Sequence, residues 1–167
     1  VLKLLISKNF NVKYINELNG NTNSLIHSIE FDSIHGKWQA NIEEGKNEIK
    51  IDGKSIKATF VENINDLSLD DVDIMIDCTG VYKSSSKLQK YFDKGVKKVI
   101  VSAPINENNI VNIAYGVNHK VYKPKEHNII TGASCTTNCI APIIKVLHES
   151  IGINHGSITT IHNLTNS

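Results

Sequence analysis

Residues 71–103 read DVDIMIDCTGVYKSSSKLQKYFDKGVKKVIVSA, and this stretch carries the pattern that decides the fold. The short apolar run at 71–78 is typical of a buried strand. An amphipathic helix is predicted over 84–94, where apolar residues recur at helical spacing until Gly95 ends the segment. Apolar residues at 99–101 predict a second strand. A strand, a helix and another strand in succession indicate an α/β domain with a parallel sheet.

The same alternation continues on both sides of this stretch. A hairpin is predicted over 48–61, because apolar residues alternate on either side of an Asp52-Gly53 turn. The whole pattern predicts the α/β class, with a doubly wound and mostly parallel sheet. The other predicted helices cover 1–8, 22–29 and 139–151, and the other predicted strands cover 12–17, 112–117, 128–131 and 156–165.

The composition is ordinary for a soluble globular protein, with 40% hydrophobic and 21% charged residues in a chain of 167. The formal net charge is +1 and no long run of one sign occurs, so the charges do not favour a nucleic-acid partner. No stretch is apolar over the length that a membrane span requires. The three cysteines form no disulfide-scaffold pattern, which favours reduced thiols and a cytoplasmic location.

Residues suited to a bound cofactor follow three of the predicted strands. In a doubly wound domain the ligand lies beyond the carboxyl ends of the strands. Asn16 and Glu17 follow one strand, Thr79 and Gly80 follow another, and Ser102 follows a third. The carboxylate of Glu17 is suited to accept the hydroxyls of an adenosine ribose. Each of these residues taken alone is also typical of an ordinary turn.

The glycine-rich phosphate loop of such domains is absent from the sequence. It would lie about 20 residues before the ribose-binding acid, and therefore upstream of Val1. We expect residues 1–8 to be the helix that such a loop opens, and the first strand of the domain to precede this chain.

A candidate nucleophile lies in the stretch ASCTTNC at 133–139. Cys135 precedes a predicted helix, whose free N–H groups and dipole lower the pKa of a nearby thiol. Ser134 and Thr136 flank it with hydroxyls that, together with the same N–H groups, suit an anion. His162 on the last predicted strand is suited to activate the thiol. From spacing alone, a cysteine without a role and a structural histidine remain open alternatives.

These motifs resemble those of the glyceraldehyde-3-phosphate dehydrogenases. The run SCTTNC at 134–139, followed by TTIH at 159–162, is similar to the active-site signature of that family. The resemblance covers essentially the whole chain, and the cysteine motif is highly specific. Further similar segments occur in family order at 16–18, 31–36, 78–82, 101–104 and 116–119.

The resemblance implies a Rossmann-like NAD-binding domain over 1–134, N-terminally truncated, and the start of a catalytic domain over 135–167. It implies that Cys135 is the nucleophile and His162 its base, with NAD as the cofactor and a homotetramer when the protein is full length. The other implied contacts are Asn16 and Glu17 with the adenosine end of NAD, Thr79, Gly80 and Ser102 with the rest of its groove, Ser134 and Thr136 with inorganic phosphate, and Thr165 with the substrate phosphate.

The implied reaction is the oxidation of glyceraldehyde 3-phosphate by NAD through a thioester on Cys135, which phosphate or arsenate releases. The sequences at 30–38 and 158–162 resemble the branch of the family associated with arsenic-resistance operons. Erythrose-4-phosphate dehydrogenase shares the cysteine motif and is an alternative. An inactive fragment is a further alternative, because the phosphate loop and an arginine for the substrate phosphate are missing from this chain. A non-catalytic dinucleotide-binding module is another alternative, which the intact Cys135 and His162 disfavour.

Three features depart from the usual pattern of the family. Glu17 stands where an aspartate is more common, and its carboxylate would repel a 2′-phosphate, which favours NAD over NADP. All 18 basic residues are lysines, so the arginine expected near 62–66 is missing, and an arginine for the substrate phosphate would lie outside this chain. The segment 163–167 replaces the aromatic-bearing run that usually follows the histidine.

Overall fold

The computed structural model describes residues 1–162, which divide into two compact units. The first unit is Val1–Val72, and the second begins at Asp73. Each unit contains a four-stranded sheet of its own. No helix among the described residues is both long enough and apolar enough to cross a membrane.

The first unit is built on a mixed sheet. Its elements are α1 (Leu2–Ser7), β1 (Tyr14–Asn16), α2 (Thr22–Glu30), β2 (Phe31–Asp32), β3 (Gly36–Lys37), β4 (Ile42–Gly45), β5 (Glu48–Ile51) and β6 (Lys54–Thr59). The strand order is β1-β6-β5-β4, in which β1 and β6 are parallel and the other neighbours are antiparallel. β2 and β3 form a separate small hairpin.

The hairpin of β5 and β6 is fixed by its turn. Asp52 and Gly53 have φ angles of 49° and 80°, the left-handed conformation that a two-residue turn between twisted strands requires. The Asp52 carboxylate also accepts a hydrogen bond from the backbone N–H of Asn41 at 2.9 Å. The hairpin predicted over 48–61 is therefore confirmed.

Side chains on one face of β5 and β6 form the core of the first unit. Ile49 and Ile51 are 0% and 1% exposed, and Ile56 and Ala58 are each 2% exposed. Leu25 of α2 packs into the same cluster. Strict alternation of apolar residues along the two strands directs these side chains to one face, as the sequence pattern predicts.

The second unit is built on a parallel sheet. Its elements are β7 (Ile74–Asp77), α3 (Ser85–Phe92), β8 (Lys98–Val101), β9 (Val111–Asn112), β10 (Ile129–Thr131) and α4 (Cys135–Ile151). The strand order is β7-β8-β10-β9, and every neighbouring pair is parallel. Val99 and Val101 of β8 and Leu88 of α3 are fully buried. The predicted α/β class with a parallel sheet is confirmed.

Helix α4 begins at Cys135, four residues before the predicted start at 139. The hydroxyl of the N-cap residue Ser134 accepts a hydrogen bond from the backbone N–H of Thr137, and this bond stabilises the additional first turn. Because of the earlier start, Pro142 lies inside the helix and not in its first turn. Within the described part of the chain, none of the residues of α4 is buried.

Two predicted strands differ in the structure. The strand predicted over 112–117 is reduced to Val111–Asn112, and the backbone turns at Gly116, which has a φ of 87°. Residues 156–162 belong to no strand. A strand requires a paired neighbour, and Ile161 is 98% exposed. The end of that predicted strand, at 163–165, lies outside the described residues.

The assigned core predicts different costs for two isoleucine substitutions in the first unit. Ile49 is 0% exposed, whereas Ile34 is 85% exposed. We expect Ile49→Ala to lower the free energy of unfolding by about 2–5 kcal/mol, because it removes buried methyl groups and leaves a cavity. We expect Ile34→Ala to change it by less than about 0.5 kcal/mol. Urea unfolding followed by circular dichroism compares the variants, and equal losses would contradict the assigned core.

Candidate active site

The parallel strands of the second unit bring three chain segments to one edge of the sheet. β7, β8 and β10 end side by side, because Asp77 is paired with Val101 and Val101 with Thr131. The Ser102 N–H donates to the carbonyl of Asp77 at 2.9 Å, and the Gly132 N–H donates to that of Val101 at 2.9 Å. In doubly wound domains the carboxyl edge of the sheet is where ligands bind.

The predicted site residues of this unit lie directly after these strand ends. Thr79 and Gly80 follow β7, Ser102 follows β8, and Ser134 and Cys135 follow β10. The structure therefore brings the predicted cofactor segments and the cysteine motif of the second unit to the same sheet edge.

Cys135 is the first residue of α4 and contacts a histidine far along the chain. Its Sγ lies 3.3 Å from Nε2 of His162. This hydrogen bond is the main cause that holds the pKa of the Cys135 thiol below its ordinary value, and the backbone N–H of Thr136 adds to the effect. Both side chains are exposed, so a reactant can reach the sulfur. An accessible thiol with a lowered pKa is suited to nucleophilic attack.

Hydroxyl groups surround the first turn of α4. Ser134 Oγ accepts a hydrogen bond from the backbone N–H of Thr137 at 3.1 Å. The same atom lies 3.1 Å from Thr136 Oγ1 and 2.7 Å from Thr137 Oγ1. Hydroxyls beside the free N–H groups of a helix N-terminus suit an anion. The phosphate-binding role of Ser134 and Thr136 stays a prediction, with which this arrangement is compatible.

The turn that leads into α4 is held from two sides. Ala133 has a φ of 55°, a left-handed conformation that costs a residue with a Cβ atom about 1–2 kcal/mol. The Thr131 hydroxyl accepts a hydrogen bond from the Ala133 N–H at 3.1 Å. Asn138 Nδ2 donates to the carbonyls of Gly132 at 2.6 Å and Ser134 at 2.9 Å. These bonds fix the direction in which α4 leaves the sheet.

A buried carboxylate supports the turn at Thr79 and Gly80. Asp77 is 2% exposed, and its Oδ1 accepts hydrogen bonds from the N–H of Thr79 at 2.9 Å and from its hydroxyl at 2.7 Å. Asp77 Oδ2 accepts a further bond from the Tyr91 hydroxyl at 2.9 Å. Burial, and next the Asp77 carboxylate, raise the pKa of Tyr91 far above its ordinary value, so Tyr91 remains a donor. Gly80 has a φ of 68° and open space where a Cβ would lie.

Asn16 is the last residue of β1 in the first unit, and Glu17 follows it. The Asn16 amide is already hydrogen-bonded within the protein, whereas the Glu17 side chain is exposed. Asn16 Nδ2 donates to the Val61 carbonyl at 2.9 Å, and its Oδ1 accepts from the Val61 N–H at 3.1 Å and the Thr59 hydroxyl at 2.9 Å. The Asn16 amide therefore ties β1 to the chain after β6. Glu17 is exposed and lines a cavity of about 330 Å³. Its Oε1 accepts a hydrogen bond from the N–H of Leu18 at 3.0 Å.

Two further predictions concern Thr165 and the cysteines. Thr165 lies outside the described residues. Cys78, Cys135 and Cys139 are all unbridged. Among residues 1–162, no group of histidine, cysteine, aspartate and glutamate side chains is arranged to bind a metal ion.

Sequence reasoning missed the side chains that hold this site in place. Asp77, Thr131 and Asn138 make the supporting hydrogen bonds, yet none of them was singled out. Asp77 and Thr131 each follow two or three apolar residues at the end of a strand. A polar residue in such a position is expected to be buried and hydrogen-bonded, but the sequence does not name its partner.

Two family descriptions match this chain. Residues 1–85 match the NAD binding domain of glyceraldehyde 3-phosphate dehydrogenase. Residues 134–167 match the C-terminal domain of glyceraldehyde 3-phosphate dehydrogenase. Cys135 and His162 both lie in the second matched region.

Full-length relatives agree with these matches. The chain is 42% identical over 156 residues to glyceraldehyde-3-phosphate dehydrogenase 3 of Nostoc sp., which covers 92% of this chain and 46% of that protein. It is 40% identical over 154 residues to glyceraldehyde-3-phosphate dehydrogenase of Geobacillus stearothermophilus, which covers 91% of this chain and 45% of that protein. The corresponding enzyme of Thermotoga maritima is 42% identical over 154 residues, with the same coverage of 91% and 45%.

The chain spans about half the length of the curated relatives it matches, as the coverage of 45–46% shows. The first family match covers residues 1–85 of 167, and the second includes the cysteine motif. The chain therefore belongs to the glyceraldehyde 3-phosphate dehydrogenase family.

Proposed function

We propose that this chain carries the nucleophile and the base of an NAD-dependent, phosphorylating glyceraldehyde-3-phosphate dehydrogenase. The observation that carries the proposal is the 3.3 Å contact between Cys135 Sγ and His162 Nε2 at the start of α4. This contact provides a thiol with a lowered pKa and an adjacent group that can accept or donate a proton. The names of the relatives support glyceraldehyde 3-phosphate as the aldehyde.

The first half of the reaction forms a thioester. The Cys135 thiolate adds to the carbonyl carbon of the aldehyde, and the protonated His162 gives its proton to the carbonyl oxygen. As hydride leaves that carbon, His162 takes the proton back and the carbon–oxygen double bond forms again. Bound NAD supplies the hydride acceptor for this oxidation. The product of these steps is an acyl group linked to Cys135.

The second half of the reaction releases the acyl group to an anion. Phosphate or arsenate attacks the thioester carbon, the carbon–sulfur bond breaks, and Cys135 leaves as a thiolate. The hydroxyls of Ser134 and Thr136, whose oxygens lie 3.1 Å apart, would orient the attacking anion. Thr165 would contact the phosphate of the substrate.

The residues present fit NAD in each unit taken by itself. In the first unit, the exposed carboxylate of Glu17 offers acceptors for the hydroxyls of the adenosine ribose. The adjoining Asn16 would contact the same end through the second Nδ2 hydrogen, which its bonds to Val61 and Thr59 do not use. In the second unit, Thr79, Gly80 and Ser102 lie at the carboxyl edge of a parallel sheet, where the backbone of Gly80 is accessible. We infer that residues 1–134 belong to the NAD-binding domain and that 135–167 begin the catalytic domain, as the second family match supports.

Three finer points belong to the same proposal. The resemblance to the arsenic-resistance branch favours arsenate as a natural acceptor beside phosphate. The family resemblance supports a homotetramer for the full-length protein. The odd number of cysteines, without the spacing of a disulfide scaffold, favours a reducing compartment and therefore the cytoplasm.

Substitution of the nucleophile tests the proposed function in the full-length protein. We expect Cys135→Ala to lower the rate of NADH formation from glyceraldehyde 3-phosphate by roughly 10⁴-fold or more, because no other group forms the thioester. Cys139→Ala, one helical turn away on an exposed position, should retain most of the activity. The absorbance of NADH measures the activity of both variants, and the proposal fails if Cys135→Ala keeps the activity of the parent.

Assays of the parent with phosphate and with arsenate show which acceptor is preferred.

The pairing of Cys135 with His162 predicts a change in thiol reactivity. The pKa of the Cys135 thiol is lowered mainly by His162, so the thiolate persists below the ordinary thiol pKa. His162→Gln should raise that pKa, move the rise of the alkylation rate to higher pH, and slow alkylation near neutral pH by about tenfold for each pKa unit.

Iodoacetamide labelling followed by tandem mass spectrometry, whose fragment ions distinguish Cys135 from Cys139 on the same peptide, measures the alkylation rate of Cys135 separately from the other cysteines. His155→Gln changes another exposed histidine of the second unit and should leave the rate unaltered. An identical pH profile in the parent and in His162→Gln would exclude the proposed pairing.

A further inference from the structure

One buried hydroxyl group holds the turn between β10 and α4 from the side of the sheet, opposite the bonds that Asn138 makes to it. Thr131, the last residue of β10, is 2% exposed. Its hydroxyl donates a hydrogen bond to Oδ1 of Asn112 at 2.6 Å and accepts one from the backbone N–H of Ala133 at 3.1 Å. A hydroxyl can donate and accept at the same time, whereas a methyl group of similar size can do neither.

The acceptor Asn112 is itself held in one position. It lies opposite Thr131 in the pair of β9 and β10. Its Oδ1 also accepts from the Ile105 N–H at 3.0 Å, and its Nδ2 donates to the Ile105 carbonyl at 2.8 Å. Its own carbonyl accepts from Asn118 Nδ2 at 2.9 Å. The Thr131 hydroxyl is therefore anchored to fixed protein groups.

The N–H that Thr131 binds belongs to a residue with an unfavourable backbone conformation. Ala133 has a φ of 55° and is 6% exposed, and a residue with a Cβ atom adopts this region only when its surroundings enforce it. Ser134, the next residue, is the N-cap of α4, and Cys135 is its first residue. The conformation of Ala133 therefore sets where the Cys135 sulfur lies relative to His162.

We propose that Thr131 is a positioning residue for the reaction of Cys135, because its hydroxyl holds Ala133 in the conformation from which α4 begins with the thiol against His162. The proposal rests on the function proposed above, in which Cys135 is the nucleophile. Thr131 touches no reacting atom and acts only through the backbone of the turn. Without its hydroxyl the turn relaxes, and the thiol moves away from the group that lowers its pKa.

Thr131→Val in the full-length protein tests this role, because valine keeps the shape and the burial but removes both hydrogen bonds. We expect the rate of Cys135 alkylation near neutral pH to fall roughly three- to tenfold, and its rise with pH to move upward by roughly half to one unit. The kcat value should fall by a similar factor, while the KM values for the aldehyde and NAD change little. Thr131→Ser retains the hydroxyl and should keep the pH profile of the parent.

Val99→Ala separates positioning from a general loss of stability. Val99 is buried in β8 of the same sheet, and its truncation leaves a cavity without removing a hydrogen bond. It should lower the thermal unfolding midpoint and leave the pH profile of Cys135 unchanged. The proposal is overturned if Val99→Ala shifts the pH profile of Cys135 alkylation as far as Thr131→Val does. It is also overturned if the profile of Thr131→Val matches that of the parent.

A second substitution tests the route through the backbone. Glycine adopts a positive φ without a steric penalty, so Ala133→Gly added to Thr131→Val should recover part of the lost alkylation rate. A double variant no faster than Thr131→Val contradicts this route.

The same experiment distinguishes the positioning role from the proposed function. If Cys135 of the parent is alkylated near neutral pH no faster than Cys78, both proposals fall. If Cys135 of the parent reacts faster and Thr131→Val reacts equally fast, only the positioning role is overturned.

Discussion

The parallel backbone pairing of β7, β8 and β10 is the constraint on which the candidate site of the second unit depends. Because the three strands share one direction and one register, the segments that follow them begin at the same edge. Hydrogen bonds from the N–H groups of Ser102 and Gly132 carry the pairing one residue beyond the strands. Backbone pairing therefore brings the segment that contains Cys135 to the sheet edge, and side-chain hydrogen bonds from Thr131 and Asn138 then fix the turn before it.

The site combines rigid support with an exposed reacting group. Thr131 and Asp77 are each 2% exposed and fix turns through bonds that water does not compete for. Cys135 and His162 are exposed, so a substrate can reach the sulfur, although solvent also weakens their mutual attraction. The lowered pKa of the thiol therefore depends on a close, well-aligned contact at the helix start, and small movements of that turn would change it.

The local elements of this fold could be predicted from the sequence more fully than the contacts between them. The Asp52-Gly53 turn and the alternating residues beside it predict the hairpin of β5 and β6. The apolar periodicity within 84–94 predicts α3 in the same way, from one short stretch of sequence. The predicted start of α4 at 139 is wrong because apolar residues recur at helical spacing only from there onward, whereas the capping hydroxyl of Ser134 allows the helix to begin at Cys135. Cys135 and His162 could be nominated separately, but 27 residues separate them, and only the folded chain provides their distance. The bonds of Asp77 to Tyr91 and of Thr131 to Asn112 also join residues far apart in the sequence, so the sequence alone does not predict them.

Direct capture of the acyl group on the protein is the most immediate test of the central claim that Cys135 forms a thioester beside His162. The full-length protein is mixed with glyceraldehyde 3-phosphate and NAD without phosphate or arsenate, quenched in acid, digested and examined by mass spectrometry. The account predicts an acyl adduct that fragment ions locate on Cys135 and not on Cys139 of the same peptide, formed together with NADH and lost when phosphate is added before the quench. NADH formation without an adduct, or an adduct on Cys78 or Cys139 instead, would contradict it.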